Sequence, residues 1–391
     1  MDACLYRIFD PVQELKKLGY DDAEALLIAP NARFYSFKLR RVPLALAMMI
    51  KQETVAQCAG AALPSKAAEL KPAEVDLLLM GTAQQLEKIC SNLKLQNGEA
   101  ERLGQSIEDN LIRAGRRNRE DFMLGTYRLP LGQRTLIMGI LNLTPDSFSD
   151  GGLYNQVESA VHRARRMVDE GADILDIGGE STRPGSTQIS VDEELKRVMP
   201  VIEALKNDAR IRVPLSIDTY KAQTARAALQ AGVDMVNDIW GLKGDPQMGA
   251  VVADAGAAIC LMHNRNSTDY RDLIPDIIAE LRELLALARQ SGISDHKILI
   301  DPGIGFGKDL KQNLEIMRRL SDFSCLGYPL LLGTSRKSMI GKTLDLPVHE
   351  RLEGTAATVA YGIAAGADLV RVHDVAEMKR VTLMTDAMVR R

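Results

Sequence analysis

Short apolar runs rich in β-branched residues alternate with amphipathic stretches from Gln133 to the C-terminus. Such runs predict buried strands, and stretches with apolar positions three and four residues apart predict the helices that cover them. Eight strand–helix units can be counted in this part of the chain. The predicted strands are Thr135–Leu141, Asp173–Ile177, Pro214–Ile217, Met235–Asp238, Ala257–Met262, Ile298–Ile300, Leu330–Leu332 and Asp368–Val372.

Glycines separate several of these units. A Gly-Ala-Asp or Gly-Val-Asp sequence starts at Gly171, Gly232 and Gly366, where a glycine that ends one helix would precede the next strand. Eight such units over about 260 residues match a closed barrel better than an open doubly wound sheet. We therefore predict an α/β fold, a (β/α)8 TIM barrel.

The first part of the chain follows a different pattern. It contains a strand candidate at Phe34–Val42, an apolar helical run, a second strand candidate at Val75–Gly81, and helices through Arg113. We predict an additional small N-terminal α+β region over residues 1–125, with the barrel over residues 126–391. Four closely spaced arginines near the junction form either a basic patch for a polyanion or partner, or a solvated linker face.

Composition narrows the class of protein. The chain has 391 residues, of which 46% are hydrophobic and 26% charged, with a formal net charge of −3. This balance gives no general attraction to nucleic acid or an anionic membrane, and the apolar run Val42–Ile50 is too short to cross a bilayer. Scattered cysteines offer neither a zinc site nor a redox pair. They are Cys4, Cys58, Cys90, Cys260 and Cys325. We expect a cytoplasmic protein that binds neither nucleic acid nor membrane.

Polar residues follow nearly every predicted strand of the barrel. In such barrels the catalytic groups come from the C-terminal ends of the strands and the loops after them. Burying many polar side chains in one cleft is costly unless a ligand satisfies them, so a binding site is expected there. The residues at these positions include Asn142, Asp176, Asp218, Asn237, Asp238, His263, Asp301, Lys337, Arg371 and His373.

Four of these residues suit the edge of a flat heterocycle. The carboxylates of Asp218 and Asp301 can accept from the N–H groups of an amino-pyrimidine, and the amide of Asn237 can donate and accept. The ammonium group of Lys337 can donate to a carbonyl or ring nitrogen. Together the four residues suit a pterin-like ring, although Asp218 taken alone could equally cap the helix that follows it.

Two residues at the end of the last strand suit an anion. Arg371 and His373 alternate along the strand, so both side chains lie on one side and can bind a phosphate or pyrophosphate. The Asn142 amide can give an oxygen to a Mg2+ ion that otherwise holds water and phosphate oxygens. The segment from Gly303 to Lys308 is not a P-loop, because the required glycine and the hydroxyl after the lysine are missing.

Several motifs together resemble those of dihydropteroate synthases, in the right order from about Gln133 to Arg391. They are MGILNLTPDSFSDGG, DIGGESTRPGS, SIDT, DPGIGFGK, TSRKS and RVHD. The resemblance implies a transferase of folate biosynthesis that joins 6-hydroxymethyl-7,8-dihydropterin pyrophosphate to p-aminobenzoate by an SN1-like path. It also implies Mg2+ as cofactor and a homodimer. It does not extend to the N-terminal region.

The resemblance also assigns roles to individual residues. The implied pterin contacts are Asp218, Asn237, Met262, Asp301, Lys337 and Arg371. The implied pyrophosphate contacts are Asn142, Arg371 and His373, with Asn142 also the metal ligand. The implied aminobenzoate contacts are Phe148, Thr182, Arg183, Phe306 and Ser338, the last at the start of a helix. The implied catalytic residues are Asp150, Arg183, Lys337, Arg371 and His373. The loops after the first two strands are interpreted as mobile lids.

Two other functions are compatible with a pterin-binding barrel. A methyltransferase half that presents methyltetrahydrofolate to a corrinoid protein would not require the Ser-Thr-Arg-Pro loop together with a pyrophosphate clamp. A non-catalytic pterin-binding paralogue would not require Asn142, Arg371 and His373 together. Both remain alternatives to the synthase at this level.

Overall fold

The computed structural model describes residues 11–32, 34–70, 72–96, 98–115, 121–143, 153–181 and 188–390. The chain divides into two compact units, Met1–Gly115 and Arg116–Arg391. Among the described residues, no helix is both long and apolar enough to span a membrane.

The first unit is built on a three-stranded antiparallel sheet with the strand order β1-β3-β2. Its elements are α1 (Pro11–Lys17), α2 (Asp22–Ile28), β1 (Phe34–Pro43), α3 (Leu44–Ala56), β2 (Gly60–Ala62), α4 (Ala67–Leu70), β3 (Glu74–Thr82), α5 (Ala83–Lys94) and α6 (Glu99–Gly115). This architecture confirms the small α+β region and both of its predicted strands. The short strand β2 was not predicted, because its sequence Gly-Ala-Ala has no apolar alternation.

The core of this unit follows from the alternation along β3. Val75, Leu77 and Leu79 are buried on one face of the strand, and they pack in one apolar cluster with residues of α3, α5 and α6. Helix α5 begins at a capping box in which the side chains of Thr82 and Gln85 bond each other's backbone N–H. The alternating pattern therefore builds a sheet with one helix-covered apolar face.

The second unit is the predicted barrel. Its elements are β4 (Phe122–Leu124), β5 (Tyr127–Leu129), β6 (Leu136–Asn142), α7 (Leu153–Asp169), β7 (Ile174–Gly178), α8 (Val191–Lys206), β8 (Leu215–Asp218), α9 (Ala222–Gln230), β9 (Met235–Asp238), α10 (Met248–Asp254), β10 (Ala258–Met262), α11 (Leu273–Gln290), β11 (Ile298–Asp301), α12 (Leu310–Arg318), β12 (Leu331–Leu332), α13 (Ser338–Leu344), α14 (Leu352–Ala364), β13 (Leu369–Val372) and α15 (Val375–Val389). Every predicted barrel strand is present, with its ends shifted by at most one residue.

Strands β6 to β13 form one parallel sheet in the order β11-β10-β9-β8-β7-β6-β13-β12. A parallel bridge between Ile300 and Leu330 joins the two ends of this order and closes the barrel. Alternate residues divide between an interior cluster, which holds Met138 and Ile174, and an outer cluster beneath the helices, which holds Leu175. The (β/α)8 TIM barrel is therefore confirmed.

A short hairpin seals the interior cluster where the strands begin. Strands β4 and β5 pair antiparallel, and Phe122, Leu124 and Leu129 are buried together with the first inward-facing residues of the barrel strands. The hairpin therefore belongs to the barrel unit, which begins at Arg116. A boundary between residues 125 and 126 would separate its two strands.

Candidate active site

The polar residues at the C-terminal ends of the barrel strands line one cavity of about 710 Å³. The predicted site residues found in its wall are Asn142, Asp218, Asn237, Met262, Asp301, Phe306, Lys337, Ser338, Arg371 and His373. The predicted residues Phe148, Asp150, Thr182 and Arg183 lie outside the described part of the chain. Residues that are far apart in sequence are thus brought to one rim of the barrel, as such folds do with their strand ends.

The floor of the cavity holds one guanidinium between two carboxylates. Arg371 Nε lies 2.6 Å from Asp176 Oδ2, and Arg371 Nη2 lies 2.6 Å from Asp218 Oδ2. Asn237 Nδ2 donates to the same Asp176 oxygen at 3.1 Å. Burial alone lowers the pKa of Arg371, but the two carboxylates outweigh burial and raise it above its ordinary value. Arg371 is therefore a fixed cation on β13 that bridges Asp176 on β7 and Asp218 on β8.

Each of these carboxylates has one oxygen that lacks a partner among the described residues. Asp176 Oδ1 and Asp218 Oδ1 are buried and accept no hydrogen bond from any described residue. Burial raises the pKa of Asp218 to about 7, against the lowering effect of Arg371 and with a further increase from Asp176. A buried acceptor that stays unpaired costs about 1–3 kcal/mol, and Asp218 lines the cavity, so its Oδ1 fits a ligand that brings an N–H donor.

The cavity wall also carries a third carboxylate and a second cation, Asp301 and Lys337. Asp301 Oδ1 accepts from the backbone N–H of Gly303 at 2.7 Å. Burial raises the pKa of Asp301, and the Gly303 N–H and Lys337 oppose that rise. Lys337 Nζ lies 4.0 Å from the ring centroid of Phe306, within range of a cation–π interaction. This wall therefore offers an acceptor, a donor and an aromatic face.

The loop that carries Phe306 has a glycine at every second position because its backbone is left-handed there. Gly303, Gly305 and Gly307 all have positive φ, and a Cβ on Gly303 would lie 1.9 Å from the His263 carbonyl oxygen. Any other residue at Gly303 would clash with this backbone. The glycine spacing in this loop is therefore a packing requirement, consistent with the exclusion of a P-loop.

Lys308 holds this loop from inside. Its Nζ lies 2.9 Å from the Gly303 carbonyl oxygen, 2.8 Å from the Phe306 carbonyl oxygen and 3.0 Å from His263 Nδ1. Burial lowers the pKa of Lys308 to about 7 and that of His263 to about 4. The neutral imidazole can therefore accept from the lysine at Nδ1 and donate from Nε2 to Glu280, 3.1 Å away. This role of Lys308 was not predicted from the sequence.

The loop after β12 is fixed to the loop after β13. Arg336 has a left-handed backbone, with φ 56°, and its guanidinium forms a two-point ion pair with Asp374. Arg351 Nη1 donates to the Arg336 carbonyl oxygen at 3.1 Å. Helix α13 begins at Ser338, as predicted. These contacts fix the backbone at Arg336, and so they position the next residue, Lys337, at the cavity wall.

No ligand role was predicted from the sequence for two carboxylates at or below the cavity, Asp176 and Glu180. Asp176 is completely buried, and its position two residues after the inward-facing Ile174 was the signal that it faces the interior. Glu180 lines the cavity, accepts from the Tyr220 hydroxyl at 2.9 Å and pairs with Lys221, which also lies 2.8 Å from Glu194. Because Lys221 and Tyr220 lie some 40 residues away in sequence, the sequence alone did not indicate this network.

The residues that could hold a metal ion are few. Among the described residues, no group of three or more His, Cys, Asp and Glu side chains has the arrangement of a metal site. Asn142 lines the cavity and offers one amide oxygen. Such a donor set fits a Mg2+ ion that keeps its waters and takes its other ligands from substrate phosphates. Within the described residues, this donor set does not fit a resident ion held by protein groups alone.

Known proteins share both the sequence and the fold of the barrel unit. A family model described as "Pterin binding enzyme" matches residues 138–373. Dihydropteroate synthase of Clostridium beijerinckii is 54% identical over 269 residues, which are 68% of this chain and 99% of that protein.

Solved structures extend the comparison. The Clostridium difficile dihydropteroate synthase, crystallised in the presence of pteroic acid, has a TM-score of 0.65 and 52% identity, and the match covers 67% of this chain and 99% of that one. The Xanthomonas albilineans dihydropteroate synthase in complex with 7,8-dihydropteroate has a TM-score of 0.63 and 39% identity, over 68% of this chain and 98% of that one. The chain therefore belongs to the dihydropteroate synthase family, whose members are transferases of folate biosynthesis.

Proposed function

We propose that this cavity joins 6-hydroxymethyl-7,8-dihydropterin pyrophosphate to p-aminobenzoate and releases 7,8-dihydropteroate and pyrophosphate. The observation that carries the proposal is the Arg371 guanidinium held between Asp176 and Asp218, in a cavity that also contains Asp301 and Lys337. The related synthases crystallised with pteroic acid and with 7,8-dihydropteroate support the same ligand class here.

The pterin ring occupies the floor of the cavity in this proposal. Asp218 and Asp301 accept from the ring and amino N–H groups, and the buried Asp218 Oδ1 gains the partner that it lacks among the described residues. Lys337 donates to the ring carbonyl or a ring nitrogen. Asn237 contributes an amide, and Met262 lines the pocket. The paired acceptors distinguish this ring from one without adjacent N–H donors.

The pyrophosphate lies beside Arg371, His373 and Asn142. Bond cleavage between the pterin methylene carbon and oxygen leaves the electron pair on pyrophosphate and a cation delocalised over the ring, which is the SN1-like path. A bound Mg2+ ion, held by Asn142, would neutralise charge on the phosphates. Arg371 and His373 stabilise the same developing charge. Because both groups are already in position, they need not reorganise as the charge forms.

The aminobenzoate then attacks the methylene carbon. Its nitrogen forms the new carbon–nitrogen bond and loses one proton to water or phosphate. Phe306 and Ser338 lie in the described wall of the cavity, and Phe148, Asp150, Thr182 and Arg183 remain predicted members of this part of the site. No covalent protein nucleophile is required, so the enzyme acts by orientation and electrostatic stabilisation.

A direct assay tests the activity. The purified chain is incubated with the pterin pyrophosphate, p-aminobenzoate and Mg2+, and dihydropteroate and pyrophosphate are both measured. We expect the two products in equal amounts. Tight pterin binding without either product would contradict the proposal and favour the non-catalytic paralogue, and methyl transfer from methyltetrahydrofolate to a corrinoid protein would favour the methyltransferase.

We also propose that the chain forms a homodimer through α14 and α15. Leu383, Met384 and Met388 of α15 and Tyr361 of α14 are large, exposed apolar side chains. Exposed apolar side chains on two neighbouring helices favour burial against a second copy. Sedimentation should give twice the chain mass, and the double variant Leu383→Asp with Met384→Lys should give the monomer. A wild-type monomer at micromolar concentration would contradict the proposal.

A cytoplasmic location is proposed as well. Cys58, Cys90 and Cys260 are free thiols in the described part of the chain. Unpaired cysteines are typical of a reducing compartment. Cell fractionation would test the location directly, and recovery with an exported fraction would contradict it.

A further inference from the structure

Ser335 and His373 make two hydrogen bonds to each other at the edge of the cavity. The backbone N–H of His373 donates to Ser335 Oγ at 3.2 Å, and Ser335 Oγ lies 2.9 Å from His373 Nδ1. Ser335 is 5% exposed, and both residues line the cavity. The serine comes from the loop after β12 and the histidine follows β13, so the contact joins two strand ends.

The number of protons decides the direction of the shorter bond. A hydroxyl has one proton to donate, and one acceptor position of Ser335 Oγ is already occupied by the His373 backbone N–H. If the hydroxyl donates to Nδ1, both Ser335 Oγ and His373 Nδ1 are satisfied. If Nδ1 carried the proton, the hydroxyl would accept twice and need a third group to receive its own proton. The described hydrogen bonds give Ser335 no such third partner.

We infer that Ser335 is a positioning residue that keeps the neutral His373 ring protonated at Nε2 and so presents an N–H donor to the departing pyrophosphate. This inference rests on the proposed contact between His373 and pyrophosphate. A neutral donor of fixed tautomer is ready to bond the phosphate oxygen as charge develops on it, without rearrangement. A ring protonated at Nδ1 would offer an acceptor to the anion instead, which repels it.

The surroundings hold both partners in place. Arg336 and Asp374, the next residue in each loop, form the ion pair described above. Thr334, the residue before Ser335, accepts from the Thr358 hydroxyl at 2.9 Å. Because the ion pair joins the two loops and the Thr334–Thr358 bond holds the first loop to α14, removal of the serine hydroxyl should remove the bond to Nδ1 without separating the loops.

Nitrogen NMR tests the tautomer independently of activity. The chain has five histidines, so the spectrum of protein labelled with ¹⁵N-histidine is simple, and the His373→Gln variant assigns the signals of His373. At a pH above the titration of the ring, we expect Nδ1 unprotonated and Nε2 protonated in the wild type. Ser335→Ala should give a mixture of tautomers, and Ser335→Thr should restore the single one. A wild-type ring protonated at Nδ1, or an unchanged spectrum in Ser335→Ala, would overturn the inference.

Kinetics test the consequence for the reaction. Loss of one oriented donor to a developing anion typically lowers kcat by about a hundredfold, and we expect a fall of roughly ten- to a hundredfold in Ser335→Ala. Affinity for a pterin that lacks the pyrophosphate should not change, and Ser335→Thr should recover most of the rate. Ser321→Ala, at an exposed serine, is the matched control.

The outcomes separate the inference from the function on which it rests. A wild-type chain without synthase activity would refute the proposed function, whereas the NMR result would still decide the tautomer. An active chain in which Ser335→Ala changes only the melting temperature would show that the bond merely joins the loops, and the inference would be wrong.

Discussion

Arg371 Nε lies 2.6 Å from Oδ2 of the completely buried Asp176. The same carboxylate oxygen accepts from Asn237, so one buried group orients two side chains that face the cavity. A buried ion pair contributes little net stability, because desolvation offsets the attraction, but it constrains the orientation of the side chains that it joins. Asp176 therefore acts on the pocket through Arg371 and Asn237.

We predict that Asp176→Ala weakens both the fold and the site. Removal of one partner from a buried ion pair costs about 3–5 kcal/mol, and here it also leaves Asn237 without its acceptor. Urea denaturation should show the loss of stability, and calorimetry should show weaker pterin binding. Asp169→Asn, which affects an exposed pair with Arg210, should change neither quantity. Unchanged pterin affinity in Asp176→Ala would contradict the orienting role.

Pterin binding should release a proton from Asp218 near neutral pH. Its pKa is raised to about 7, chiefly by burial, so the free enzyme is partly protonated there. N–H donors from the ring favour the carboxylate, so affinity should fall as the pH falls below about 7. Calorimetry in buffers of different ionisation enthalpy measures the released proton. It should be absent in Asp218→Asn and persist in Asp254→Asn, a change at an exposed residue.

Protonation of Asp218 should weaken pterin binding but stabilise the fold of the free enzyme. The folded protein holds this proton more tightly than the unfolded chain, whose aspartate titrates near 3.8. Asp218 should therefore add to the free energy of unfolding as the pH falls from about 7 towards 4, and this contribution should vanish in Asp218→Asn. A wild-type stability difference across this range that survives in Asp218→Asn would belong to other groups.

The strands and the side chains at their ends could be predicted because they depend on local periodicity. The alternation that places Ile174 inside the barrel also places Asp176 there, so the burial of Asp176 could be predicted from the sequence. Its partner was not, because Arg371 is separated from it by 195 residues and meets it only when the barrel closes. The contacts of Lys308 were equally hidden, since they depend on left-handed backbone at three glycines.

Lys308→Met should disturb the use of aminobenzoate more than that of pterin. The ammonium donates to the carbonyl oxygens of Gly303 and Phe306, and each buried acceptor that loses its donor costs about 1–3 kcal/mol. The loop that presents Phe306 should therefore relax, and we expect KM for aminobenzoate to rise by roughly tenfold or more. Steady-state kinetics measure this change. Lys311→Met, on the exposed side of α12, should be neutral, and an equal rise in both KM values would count against the loop-specific effect.

The hairpin of β4 and β5 should be essential to the stability of the barrel. Phe122, Leu124 and Leu129 are buried in its interior cluster, and each such side chain contributes about 1.5–3 kcal/mol. A chain that starts at Asp121 keeps the hairpin and should bind pterin like the full-length protein, whereas a chain that starts at Gln133 should be much less stable. Phe122→Ala in the full-length chain should lose about 3–5 kcal/mol in urea denaturation. Equal stability of the two shortened chains would mean that the barrel needs no cover at the end where its strands begin.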